Sequence, residues 1–303
     1  MKRAFYKARF FYFTASFSAL EKLKDILNAC GLHVQRYEQV YGGDINEAWC
    51  LFTSTEKYFL KVNDKNRYPA MFEKETSGLD MLRQHCNLII PKVIKAGEYD
   101  DQQYLLMEWL EKGSPQKYLW ENFGEGLAML HKKPQANFGL NEDNYIGSIK
   151  QVNTPHNEWH SFYGECRLMP LVKILFDAGH YSSTDIKNAN SFSNNLKNIF
   201  PSEPPALLHG DLWGGNYMIT SSGNAALFDP AVYFGHREMD IGMTKLFGGF
   251  DSRFYEAYHG IYPLAKGWEK RLTLTQLYPL LVHAVLFGGH YISKAKEIIK
   301  QFA

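Results

Sequence analysis

The chain has 303 residues, and 33 Lys and Arg against 32 Asp and Glu leave a net charge of +1. That balance supplies no global field to gather nucleic acid or an anionic membrane surface, while 45% hydrophobic and 21% charged residues exclude wholesale disorder. The four cysteines, Cys30, Cys50, Cys86 and Cys166, are widely spread and form no Cys-x-x-Cys pair. They fit neither a zinc site nor a dense disulfide framework and point to a reducing, cytoplasmic setting.

The start, "MKRAFYKARFFYF", superficially resembles a signal peptide, but basic residues continue to Arg9 and no small-x-small cleavage site follows. No run approaches the ~20 apolar residues that a membrane-spanning helix needs. Residues 1–16 are therefore set aside as an N-terminal extension and a candidate for disorder. From Phe17 the pattern is helical, with Leu20, Leu23, Leu27 and Cys30 about a turn apart, and Gly31 closes it.

Three strand-like runs follow, "HVQRYEQVY", "EAWCLFT" and "KYFLKVN". In the third, Tyr58, Leu60 and Val62 share one face, so Lys61 must point to the other. "MFEKETSGLDMLRQHC" repeats Phe72, Glu75, Leu79, Leu82 and Cys86 at helical steps. "LIIPKVIKAG" and "QYLLMEWL" restore strand character before "EKGSP", where Gly113 and Pro115 break both patterns. Beyond this boundary helices dominate: residues 118–133, one continuous helix over 161–179, a weaker one near 184–199, and a set from 237 onward. Two short strands, "ALLHG" and "NAALFD", interrupt them. The expected organisation is α+β: a small sheet-rich N-lobe over 17–110 and a larger, mainly helical C-lobe over 111–303.

The stretch "LLHGDLWGGNYMI" (207–219) places polar and flexible residues between apolar runs, with Asp211 and Asn216 five apart and Asp229 thirteen beyond Asn216. That spacing resembles the catalytic loop and metal-binding turn of protein kinases. An aspartate orients or deprotonates an attacking hydroxyl there, and an asparagine with a second carboxylate holds Mg²⁺ against the ATP phosphates. Such chemistry also needs a strand lysine and a helical glutamate. Lys61 and Glu75 suit these roles, whereas Glu73 lies off the Phe72/Glu75/Leu79 stripe. "YGGDIN" (41–46) could close over phosphates through backbone amides. "LLMEWL" would be the hinge, with backbone groups of Glu108 to Leu110 reaching adenine and Met107 lining an apolar slot. Walker, His-Glu-x-x-His and Gly-x-Ser-x-Gly motifs are missing, which excludes P-loop NTPases, zincins and serine hydrolases with a nucleophile elbow.

Together "GGDIN", "YFLKVN", "MFEKETSGLDML", "NYIGSIKQVNT", "FYGECRLMPL", "LLHGDLWGGN", "LFDPAVYFGHREMDIGM" and "LFGGHY", in this order over residues 41–291, resemble the fructosamine-3-kinase (ketosamine-3-kinase) family. That family belongs to the aminoglycoside phosphotransferase and protein-kinase-like superfamily. The resemblance implies a protein-kinase-like two-lobed fold and ATP- and Mg²⁺-dependent phosphorylation of the sugar 3-hydroxyl of ketosamines, free or on glycated proteins, as a step of deglycation repair. With a net charge of +1 and no membrane-length apolar run, no nucleic-acid or membrane partner is expected. By motif, Asp211 is the base, Asn216 and Asp229 the Mg²⁺ ligands, Lys61 and Glu75 the phosphate-gripping pair, and Gly42 and Gly43 part of the loop above. His209 and Asp240 are expected to brace the catalytic loop, and Trp213 to form a pocket wall. The alternatives are a kinase of the aminoglycoside or choline kinase type and a catalytically silent nucleotide-binding module. Asp44 stands where many relatives of this family carry cysteine, so redox control at that position is not expected.

Overall fold

The computed structural model describes residues 17–41, 45–133 and 135–303. The expectations for residues 1–16 and for Gly42 and Gly43 lie outside the described residues.

Helix α1 (Phe17–Cys30) leads into strands β1 (Arg36–Val40), β2 (Glu47–Phe52) and β3 (Lys57–Asp64), helix α2 (Met71–His85), and strands β4 (Val93–Tyr99) and β5 (Gln102–Glu108). The strands form one sheet of order β1-β2-β3-β5-β4, antiparallel throughout. The period-two alternation divides its faces. Leu60 and Val62 of β3 pack with Leu23 and Ile26 of α1 and with Leu106 of β5, while Leu105 and Met107 meet Phe72, Leu79 and Leu82 of α2. Lys61 therefore faces the α2 side.

The remainder is mainly helical: α3 (Leu119–His131), α4 (Trp159–Phe162), α5 (Met169–Asp177), α6 (Ser183–Asn195), α7 (Glu238–Leu246), α8 (Ser252–Ile261), α9 (Trp268–Thr275), α10 (Leu277–Phe287) and α11 (His290–Phe302). Three two-stranded antiparallel ladders are set among them. They pair β6 (Asn144–Ile146) with β7 (Ile149–Gln151), β8 (Ala206–Leu208) with β11 (Tyr233–Gly235), and β9 (Tyr217–Ile219) with β10 (Ala225–Leu227). The architecture is thus α+β, a small antiparallel sheet followed by a larger helical part. After β5 the chain lies against β9, where Gly113 N–H donates to the Ile219 carbonyl at 2.9 Å and Ser221 N–H to Glu111 at 2.7 Å. The two parts share an apolar cluster in which Phe72, Leu79 and Met107 meet Leu127, Leu207, Leu227 and Phe254.

The single helix expected over 161–179 is instead α4, a π-helical turn at Tyr163–Leu168, and α5. Pro170 offers no N–H to the preceding turn and its ring crowds that turn's carbonyl, so the chain widens before it. Met169 N–H accordingly donates to Gly164, five residues back. Among the described residues no helix is long and apolar enough to cross a membrane.

Candidate active site

Strand pairing accounts for the spacing of the polar residues. β8 delivers the chain to His209–Asp211, and β9 starts directly after Asn216. β10 antiparallel to β9 then returns the chain, with Leu227 opposite Tyr217, so that Asp229 emerges beside Asn216. Phe228 N–H donates to the Asn216 carbonyl at 3.1 Å, closing the hairpin. The thirteen-residue interval is the length of this hairpin. Within the loop, Asn216 Nδ2 donates to both the Asp211 carbonyl and Asp211 Oδ2, each at 2.8 Å.

The loop is anchored from below by Asp240 of α7. Its Oδ2 accepts from His209 N–H at 2.8 Å and its Oδ1 from Gly210 N–H at 3.0 Å, while His131 Nε2 of α3 lies 3.2 Å from Oδ2. Burial pushes the Asp240 carboxyl up, but these bonds and the His131 and His209 rings outweigh it and hold it below the ordinary carboxylate value. His209 is fully buried. Its Nε2–H donates to the Phe228 carbonyl at 3.1 Å, and Nδ1 accepts from Asp211 N–H at 3.3 Å. One neutral imidazole thereby ties the Asp211 loop to the residue before Asp229, and burial lowers its pKa in keeping with that form. Gly210 has φ +84, and a Cβ there would lie 2.0 Å from the Ala231 carbonyl oxygen, so only glycine passes beneath the turn.

Lys61 is almost fully buried. Its Nζ donates to Glu75 Oε1 at 2.7 Å and to Asp229 Oδ1. Burial opposes its charge, but the two carboxylates outweigh that and hold its pKa above the ordinary lysine value, so it remains cationic. Asp229 has φ +53, a backbone region rare outside glycine but tolerated by aspartate, and its side chain is 46% exposed to the cleft. Asp211, by contrast, carries no direct cation. Burial at the cleft floor, reinforced by the charges of Asp229 and Asp240 and opposed by the Asn216 hydrogen bond, pushes its carboxyl up to about 7.

Lys61, Glu75, Asp211, Asn216 and Asp229 line one cavity of about 380 Å³ between the two parts of the chain, with Trp213 also on its wall. A Cβ on Gly215 would lie 2.4 Å from the Trp213 ring, so the glycine lets the indole fold over its own loop. Met107, Glu108 and Leu110 are not among the residues lining this cavity. Met107 is 3% exposed inside the shared apolar cluster, and Glu108 N–H donates to the Lys92 carbonyl at 2.9 Å. Sequence reasoning passed over two functional candidates. His131 gives no local signal, since its role depends on α7. His283, which lines the cavity from α10, does give one, as a lone polar residue in the apolar run "LLVHAVLF".

The donor set fits a nucleotide held through Mg²⁺. Asn216 spends its amide N–H groups on Asp211, which leaves Oδ1 as its atom for a cation, and Asp229 adds an exposed carboxylate. Among the described residues no group of three or more His, Cys, Asp or Glu forms a self-sufficient metal cage. Mg²⁺ does not require one, because it commonly takes one or two protein ligands and completes its shell with phosphate oxygens and water.

Comparison with known proteins agrees with this arrangement. The chain matches the sequence profile of the family described as fructosamine kinase over residues 19–303. It is 36% identical over 265 residues to a "probable ketoamine kinase" of Enterococcus faecium, covering 87% of this chain and 94% of the relative. It is also 36% identical over 274 residues to the chloroplastic protein-ribulosamine 3-kinase of Arabidopsis thaliana, covering 89% and 83%. The crystal structure of a candidate fructosamine-3-kinase from Thermobifida fusca superposes with a TM-score of 0.81 at 32% identity, covering 91% and 96%. A spectinomycin phosphotransferase shares the fold alone, with a TM-score of 0.59 at 13% identity over 92% and 93% of the two chains. The protein-kinase-like fold and a profile match over nearly the whole chain make this protein a member of the fructosamine kinase family.

Proposed function

We propose that this chain transfers the γ-phosphoryl group of ATP to the sugar 3-hydroxyl of a ketosamine, a fructosamine or ribulosamine adduct, free or carried by a glycated protein. The observation that carries the reading is Lys61, joined to both Glu75 and Asp229, lining the same cavity as Asp211 and Asn216. Family membership and the names of the relatives support it. The phosphorylated adduct is prone to breakdown, so the reaction would serve deglycation, in a cytoplasmic setting and without nucleic-acid or membrane partners. In this assignment residues 17–110 are the N-lobe that holds ATP, and residues 111–303 the C-lobe that supplies the base and receives the acceptor.

In this mechanism Glu75 holds Lys61 extended from β3 toward the phosphates, and adenine would be met by hinge backbone groups up to Leu110 other than the Glu108 N–H, which is spent on the Lys92 carbonyl. Asn216 Oδ1 and the Asp229 carboxylate would hold Mg²⁺, which supplies charge neutralisation on the phosphates. Asp211 orients the acceptor hydroxyl and takes its proton as the oxygen attacks. A carboxyl pushed up to about 7 suits this task, because a general base works best when its pKa lies near the working pH. His209 and Asp240 keep the Asp211 loop in register with Asp229, and Trp213 walls the acceptor side. Positioning and electrostatics supply most of the rate, since phosphoryl transfer leaves little covalent work to the protein.

The test is a panel of ribulosamines, fructosamines, aminoglycosides, choline and free sugars with Mg²⁺ and ATP. Formation of the ketosamine 3-phosphate, followed by release of the amine, is expected. Phosphorylation of an aminoglycoside or choline without any ketosamine product would overturn the assignment, as would ATP·Mg²⁺ binding with no product at all.

A further inference from the structure

The cavity wall opposite the phosphate-binding residues does not end at Trp213. Its indole meets the ring of Phe247 edge-on at 5.6 Å, Phe247 lies 4.8 Å from His283, and His283 lies 5.4 Å from Phe287 and 5.1 Å from Tyr291. These rings come from the catalytic loop, the end of α7, α10 and the start of α11, so they form an unbroken aromatic bay running from the residue two beyond Asp211 to the protein surface. Phe287 and His283 line the cavity itself, whereas Phe247 lines a surface groove with Tyr291 and joins the cavity through its contacts with Trp213 and His283. Phe287 is 55% and Phe247 38% exposed. Single exposed apolar side chains are ordinary on a protein surface, but a contiguous apolar patch opening from a catalytic cleft is the mark of a ligand surface.

The inner end of the bay is polar at His283, and the groove beyond it also carries Lys294 and Glu297. The carboxylates lining the cavity, Glu75, Asp211 and Asp229, all belong to the phosphoryl-transfer side. On the bay, His283 Nδ1–H donates to the Pro279 carbonyl at 2.8 Å, which leaves Nε2 as an acceptor. Ring faces attract a cationic nitrogen and stack on other rings, and an imidazole lone pair accepts from an amine N–H. In a ketosamine the amine nitrogen sits only a few bonds from the 3-hydroxyl. With that hydroxyl at Asp211, the nitrogen and its substituent must leave along a cleft wall.

We propose that the bay formed by Trp213, Phe247, His283 and Phe287 is the subsite for the amine side of the acceptor, and that the protein therefore prefers ketosamines whose nitrogen carries an aromatic substituent. This rests on the ketosamine kinase reading above. The amine nitrogen lies over the rings with its N–H toward His283 Nε2, and the substituent stacks outward between Phe247 and Phe287.

The experiment compares the fructosamines of benzylamine and methylamine as substrates for the wild type, Phe287→Ala and Phe247→Ala. The wild type is expected to show a kcat/KM for the benzyl compound about three- to tenfold above that for the methyl compound, the range of a favourable aromatic contact. That ratio is expected to fall toward one in Phe287→Ala and to drop in Phe247→Ala, with KM for ATP unchanged. A ratio of two substrates on one preparation does not depend on how much of it is folded. Equal kcat/KM values in the wild type would overturn the proposal, as would a ratio retained in both variants. Turnover by the wild type of neither these fructosamines nor the corresponding ribulosamines would overturn the kinase reading, and the subsite with it.

Discussion

Replacing Asp211 with asparagine is expected to stop catalysis and yet stabilise the protein. The Asp211 carboxyl is raised from 3.8 to about 7 by burial and by Asp229 and Asp240. Its folded pKa thus exceeds its unfolded one, so the native state loses stability as pH rises through this interval and the loss levels off above about 7. At ~1.4 kcal/mol per pH unit the full penalty is ~4 kcal/mol at pH 8.5 and about half that at pH 5.5. Asparagine keeps an acceptor for Asn216 and carries no charge, so it removes the penalty. Some relaxation of the native site leaves an expected gain of about 2–4 kcal/mol at pH 8.5, or about 3–6 °C in Tm for a chain of this length. The assay is thermal unfolding of both proteins at pH 5.5, 7 and 8.5 without nucleotide or divalent cation, alongside turnover, which is expected to fall by about 10²- to 10⁴-fold. A variant less stable than the wild type at pH 8.5 would refute the reasoning, as would an advantage that does not grow between pH 5.5 and 8.5.

Other consequences follow from the same geometry. In the wild type, kcat/KM for the acceptor at saturating ATP and Mg²⁺ is expected to fall as pH drops and Asp211 takes up its proton, with the inflection below the metal-free value because bound Mg²⁺ offsets the Asp229 charge; a steady-state pH profile reads this directly. Lys61→Met leaves Glu75 and Asp229 facing each other without their shared cation, and a loss of about 3–5 kcal/mol is expected in denaturant unfolding, with weakened ATP binding by calorimetry. Asp240→Asn removes the charge that His209 and Gly210 donate to, so turnover is expected to drop with stability falling by about 2 kcal/mol; a double-mutant cycle with His131→Phe should show coupling between the two. Gly210→Ala must push the loop off the Ala231 carbonyl, and a shift of about 1 Å at Asp211 is expected to cost about 10²-fold in turnover even where the protein still folds.

The sequence by itself determined what local periodicity and chain connectivity encode. Alternation in "KYFLKVN" assigned Lys61 to the face opposite Leu60 and Val62, and helical spacing put Glu75 on the stripe of Phe72 and Leu79. The intervals among Asp211, Asn216 and Asp229 marked a catalytic loop and a metal-binding turn, while the β9–β10 hairpin that joins them is visible only in the fold. The first two are short-range consequences of a strand's period of two and a helix's period of 3.6. Local pattern misread residues 161–179, because the hydrophobic stripe continues across the π turn that Pro170 imposes.

Only the tertiary structure decided which distant groups meet. Lys61 reaches Asp229 across 168 residues of sequence, and Asp240 collects donors from His131, His209 and Gly210 on two other segments. The aromatic bay draws Trp213, Phe247, His283 and Phe287 from separate elements. No local period encodes such meetings, because packing of the lobes fixes them. Burial then sets what each group does, leaving one carboxylate held low beneath the loop and another raised to about 7 at the cleft floor.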